Sequence, residues 1–182
     1  MELRSVEELM DLLYAGRGTA EPGTAGPGTA GPGAAGRVTA TPDRPRRRTD
    51  PHEHALRTAA LLRRRRPADK ELQVAGLVLG IGALLGPGGG AGPQAAVRAA
   101  RAADAVRGLL GERVFRLVRQ QADPAGGRAA RPLDEDALTL RLADEEARSR
   151  GAGDTAGAGV LEDWRTVLEL VAARNARLGA VD

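Results

Sequence analysis

The sequence predicts an all-α fold, on three observations. Apolar residues recur at helical spacing in several separate segments. Ser5, Asp50 and Asp69 stand where helix N-caps are expected. No segment alternates apolar and polar residues as a half-buried strand would.

Ser5 followed by Glu8 fits a capping box, and Val6, Leu9, Met10, Leu12 and Leu13 then give a short amphipathic helix ending near Gly16. Pro22 to Gly26, Pro27 to Gly31 and Pro32 to Gly36 are three pentads of Pro, Gly, Ala and Thr. Such a stretch has almost no apolar surface to offset its chain entropy, which predicts a disordered Gly/Pro/Ala-rich linker over 17–49. Asp50, Pro51 and Glu53 then start a helix that stops at Pro67. Asp69 caps the next, which is expected to run to about Leu85. It is apolar on nearly all sides after Leu72, as the central helix of a bundle would be. Gly76, Gly80 and Gly82 inside it make sense where another backbone or a bound group approaches closely. Further helices are expected over 94–110, 112–121 and 134–148, and a last one is marked by Leu161, Trp164, Leu168 and Val171. Gly86–Pro93, Asp123–Pro132 and Gly151–Gly159 read as loops. The expected organisation is an N-terminal helix (1–16), a basic low-complexity linker (17–49) and a helical domain (50–182).

Composition narrows the chemistry. The 182 residues contain no cysteine, which excludes disulfides, Cys-ligated zinc and thiol catalysis. Phe, Trp and Tyr occur once each, so the core must be built mainly from Ala, Leu and Val. At roughly 25 cal/mol per Å² of apolar surface such a core gives marginal stability. The longest apolar stretch, Leu72 to Leu85, is shorter than the ~20 residues a membrane-spanning helix needs. The N-terminus begins with acidic, amphipathic sequence instead of a basic region and an apolar run. The expectation is a cytoplasmic protein with no membrane contact.

The chain's two histidines, His52 and His54, are two apart, about 200° around a helix, so they cannot share one metal ion. Their plain reading is one exposed histidine at the helix start and one partly buried. The acidic groups Asp134–Asp136 and Asp144–Glu146 read as solvated faces, with only Asp144 on the apolar side. Arg37 to Arg66 contains ten arginines against Asp43, Asp50 and Glu53. Within it, Arg46, Arg47, Arg48 and Arg63, Arg64, Arg65, Arg66 are candidates for an acidic partner, whether a protein surface or a nucleic-acid backbone. The acidic region 133–182 could pair with them inside the molecule instead.

One series of segments rises above composition. His54-Ala-Leu-Arg-Thr-Ala-Ala, followed by Glu71-Leu72-Gln73-Val74-Ala75 and Leu79-Gly80-Ile81-Gly82-Ala83-Leu84-Leu85, resembles the HD-domain superfamily. It looks closest to the branch of phosphonate-degrading di-iron oxygenases, which reads EHALQTA and then ELVVAALLHDIGHLL at the same spacing. Leu110-Gly111-Glu112-Arg113-Val114 resembles that branch's LFGERV, and Leu140 to Arg148 its LRRWDDAAK. The series runs from about residue 50 to 175. It implies an HD-like helical bundle.

The same resemblance implies a lost metal centre. The HD doublet falls at Leu79 and Gly80, the next histidine at Ala83, and later ones near Arg98 and at Gln121. Only His54 and Asp144 remain of the ligand set, and the two are expected to hydrogen-bond each other. Two ligands are too few for iron or zinc. The reading is a metal-free, non-catalytic pseudoenzyme that needs no cofactor and acts as a binding or scaffold protein, with an unidentified protein or small molecule in the former pocket. One alternative is an HD-type phosphohydrolase or di-iron oxygenase that holds iron or another divalent metal through substitute ligands such as His52, Glu53, Asp144 and Glu145. The other is an anion- or nucleic-acid-binding module using the arginine clusters.

Overall fold

A computed structural model describes residues 2–16, 50–85, 94–122, 134–149 and 159–179. The expected linker, with Arg46, Arg47 and Arg48, and most of the three expected loops lie outside the described residues. Among the described residues every regular element is helical: α1 (Val6–Ala15), α2 (Pro51–Arg65), α3 (Lys70–Val78), a 3₁₀ segment (Leu79–Ala83), α4 (Gln94–Leu110), α5 (Glu112–Gln120), α6 (Glu135–Ser149) and α7 (Glu162–Gly179). No helix among them is long and apolar enough to cross a membrane.

The starts of the helices follow from their caps. Ser5 Oγ accepts from the Glu8 amide (3.1 Å), and the Glu8 carboxylate accepts from the Arg4 amide one residue before the cap (2.8 Å). Asp50 accepts from the His52 amide at 2.9 Å, with Pro51 in the first turn of α2. Asp69 accepts from the Leu72 amide at 3.0 Å, and Asp134 from the Ala137 amide at 2.8 Å. Each side chain satisfies an amide that a helix start leaves without a carbonyl.

α3 is the central helix. It packs against α2, α5, α6 and α7, and every residue from Leu72 to Val78 is buried. The core around it is mostly Ala, Leu and Val, with Trp164 of α7 as its largest fully buried side chain. α1 adds Val6, Leu9, Met10 and Leu13 to the same cluster, and Leu3 just before it joins them. Burying residues of these types contributes roughly 1.5–3 kcal/mol each.

The expected continuous helix to Leu85 is corrected: regular α-helix stops at Val78, and the chain winds more tightly over Leu79–Ala83. A Cβ on Gly82 would lie 1.9 Å from the Arg98 carbonyl oxygen, so the backbone of α4 passes directly over this residue. The tighter turn and the missing side chain together let α4 close on the segment. At Gly76 a Cβ would lie 2.5 Å from the Leu62 side chain, so here too glycine permits close packing.

Part of the arginine-rich stretch is used internally. Arg65 pairs with Glu146 and Arg66 with Glu135, both on α6. Arg63 lies over the Trp164 ring at 5.0 Å, and Arg64 is exposed.

Candidate functional site at the His54–Asp144 pair

α2 delivers His54 one turn after its Asp50 cap, and α6 delivers Asp144 from the face that also buries Ala137, Leu140, Ala143 and Ala147. The two meet. His54 Nε2 donates to Asp144 Oδ1 at 2.7 Å, with side chains only 15% and 10% exposed. Asp144 Oδ2 also pairs with Arg148 one turn along α6. His54 is further fixed through its backbone, whose carbonyl accepts from Thr58 Oγ1 at 2.9 Å.

Polar atoms near this pair are incompletely matched. His54 Nδ1 is buried and has no hydrogen-bond partner among the described residues. Arg57, one turn on, is 4% exposed and gives one hydrogen bond, from Nη2 to Glu53 Oε2 at 2.7 Å. Its Nε and Nη1 are buried and have no partner among the described residues.

The other family-derived positions divide. Leu79 is partly buried against the core. Gly80 faces the first turn of α2: a Cβ there would stand 3.6 Å from the Pro51 carbonyl and 3.9 Å from Ala55 Cβ. Ala83 belongs to the same 3₁₀ segment, and its side chain is outside the described set. Gln121 is not drawn into the pair. Its Nε2 donates to the Ala137 carbonyl at 2.9 Å, about two turns of α6 before Asp144, and so braces α5 against α6.

His52 departs from the expectation of an exposed helix-start histidine. It is 7% exposed, its Nδ1 donates to the Leu13 carbonyl at 3.0 Å, and its ring lies 6.3 Å from that of Tyr14. The docking of α1 onto the start of α2 buries it. His52 is therefore bound to α1, Glu53 pairs with Arg57, and Glu145 is exposed. Among the described residues no three His, Cys, Asp or Glu side chains converge as a metal site would require. His54 and Asp144 spend their facing atoms on each other. This donor set does not fit an iron or zinc ion, which needs at least three protein ligands.

A second polar cluster was not anticipated. Arg113 of α5 donates through Nη1 to Asp69 (2.7 Å) and Glu71 (2.9 Å), and through Nη2 to Asp69 (2.6 Å) and Asp136 (2.8 Å). It thereby ties α5 to the starts of α3 and α6. The Arg113 guanidinium, helped by the Leu72 amide, holds the Asp69 carboxyl below the usual carboxylate range against the opposing effect of burial. In return the carboxylates, Asp69 first, make the Arg113 proton harder to remove. The cluster borders an open groove of about 840 Å³ that also exposes Lys70, Leu170 and Arg174. That volume suits a small molecule. Both Arg113 terminal nitrogens are already committed to carboxylates, so the residue serves as a brace and not as an anion receptor. The signals for it were present separately: Asp69 as a cap, Glu71 and Asp136 as first-turn acids, and Arg113 within the LGERV segment.

No protein-family model, curated protein or solved structure matches this chain.

Proposed function

We propose that this chain is a degenerate relative of the HD-domain superfamily that works without a metal, as a binding or scaffold protein and not as a catalyst. The observation that carries the reading is the pairing of His54 with Asp144. The two ligand-type residues left by the motif series meet across α2 and α6 and hydrogen-bond each other. Gly80 supports the same reading. It lies against the first turn of α2, in the neighbourhood of that pair, at a position where the family carries a carboxylate. The bound partner would be a protein or a small molecule entering the pocket that the lost ligands once lined.

Restoring the HD doublet tests the correspondence. Gly80 has room for a Cβ at ordinary contact distance, so Leu79→His combined with Gly80→Asp can be built without backbone overlap at position 80. With His54 and Asp144 these side chains would supply four ligands. The expected outcome is divalent-metal binding by the double variant that the parent chain lacks, read by elemental analysis after reconstitution. A folded double variant, verified by circular dichroism, that binds no more metal than the parent would sink the assignment of positions 79 and 80.

A further inference from the structure

α1 belongs to the core, yet it reaches the core through a long detour of chain. Leu3, Val6, Leu9, Met10 and Leu13 are all buried. The helix is also held by polar ties. The Leu3 amide donates to the Ala105 carbonyl at 2.8 Å, and Tyr14 Oη donates to Glu162 at 2.5 Å. The Leu13 carbonyl accepts from His52, and Glu7 lies 3.7 Å from Arg165. Every residue named on the receiving side lies at position 52 or beyond.

The two ends of the intervening chain are close together, because Leu13 and His52 are in direct hydrogen-bond contact. Connections between packed helices commonly take about 2–8 residues. Here 33 residues, from 17 to 49, join Gly16 to Asp50. A chain of that length reaches roughly 110 Å when extended. Closing α1 onto its own domain needs a small fraction of that reach. These four ties, to Ala105, Glu162, His52 and Arg165, are equally open to α1 of another copy, since every receiving residue belongs to the part of the chain from position 52 onward.

We infer that the groove holding α1 also accepts α1 of a second copy, so that two chains exchange their N-terminal helices reciprocally. The occupant is the chain's own helix because the pattern Leu3, Val6, Leu9, Met10 and Leu13 is the one the groove is shaped to bury. A two-fold exchange repeats the same interface twice and closes on itself. The tether holds a chain's own α1 near its groove at an effective concentration of millimolar order. Dilute protein is therefore monomeric, and exchange grows as the concentration during folding approaches that range.

The absence of cysteine gives a clean test in the full-length chain. Glu7→Cys in one preparation and Arg165→Cys in another place thiols on facing, solvent-accessible positions of α1 and α7. The two are unfolded, mixed in equal amounts, refolded at about 10 μM or about 1 mM, one far below the effective concentration and one within its range, and treated with a short bismaleimide. The expected result is a covalent dimer containing one copy of each variant, several-fold more abundant after refolding at the higher concentration. A single chain carrying both substitutions should cross-link internally, which verifies folding and reagent access. If that control succeeds while no mixed dimer forms at either concentration, the exchange does not occur. Equal yield from variants folded separately in dilute solution and mixed only afterwards would mark random collision and overturn it as well.

Discussion

The His54–Asp144 pair and the Arg113 cluster are both polar contacts between distant helices, and they differ in how completely they are satisfied. Around Arg113, three carboxylates receive four hydrogen bonds, and the side chain is about a third exposed. Around His54, one hydrogen bond joins two nearly buried groups, while His54 Nδ1 and two nitrogens of Arg57 have no partner among the described residues. A complete network is what a structural brace requires. An incomplete one, in a more buried place, is what the proposed loss of ligands would leave. A polar constellation is thus a candidate site by what it leaves unmatched and not by how many charges it gathers.

The largest effect is expected at the brace. Arg113→Leu strands Asp69, Glu71 and Asp136 beside one another. A fully buried charge that loses its partner costs about 3–5 kcal/mol. With a third of the side chain facing water, about 2–3 kcal/mol is expected in urea unfolding. Asp144→Ala should cost less, about 1–2 kcal/mol, by leaving the buried His54 Nε2 without its acceptor. If the order were reversed, the pair and not the cluster would be the main cross-brace.

The acid side separates the two regions further. Arg113 depresses the folded-state pKa of Asp69. Its contribution is therefore present above the ordinary Asp pKa of about 4 and is lost as pH falls through the lower folded value. Arg113→Leu removes the main cause of that depression. The stability gap between parent and variant should be widest above pH ~5 and narrow steadily below ~4, as followed by thermal unfolding. A gap independent of pH would mean that Arg113 acts through packing alone. The smallest effect belongs to Arg148→Ala. This arginine is 62% exposed, so its pair with Asp144 should contribute no more than about 0.5 kcal/mol.

Much of this architecture could be read in advance where local chemistry governs. The caps at Ser5, Asp50 and Asp69 are decided within one turn, and the buried character of α3 follows from its run of apolar residues. The meeting of His54 with Asp144 was legible through the motif series. The 3₁₀ break was not, because the backbone that approaches Gly82 there, at Arg98, belongs to a different helix. The burial of His52 was missed for a similar reason: it depends on α1 returning to the start of α2. The Arg113 cluster needed the starts of α3 and α6 to be brought to α5, and residue spacing carries no record of that convergence.

The proposed function requires the His54–Asp144 pair to be a closed contact and not half of a metal centre. Elemental analysis of the purified, untagged protein after reconstitution with iron, zinc and manganese tests it most directly. Metal far below one ion per chain is expected, unchanged by His54→Ala or Asp144→Ala. Near-stoichiometric metal, lost in either variant, would contradict it and point to a hydrolase or oxygenase with further ligands.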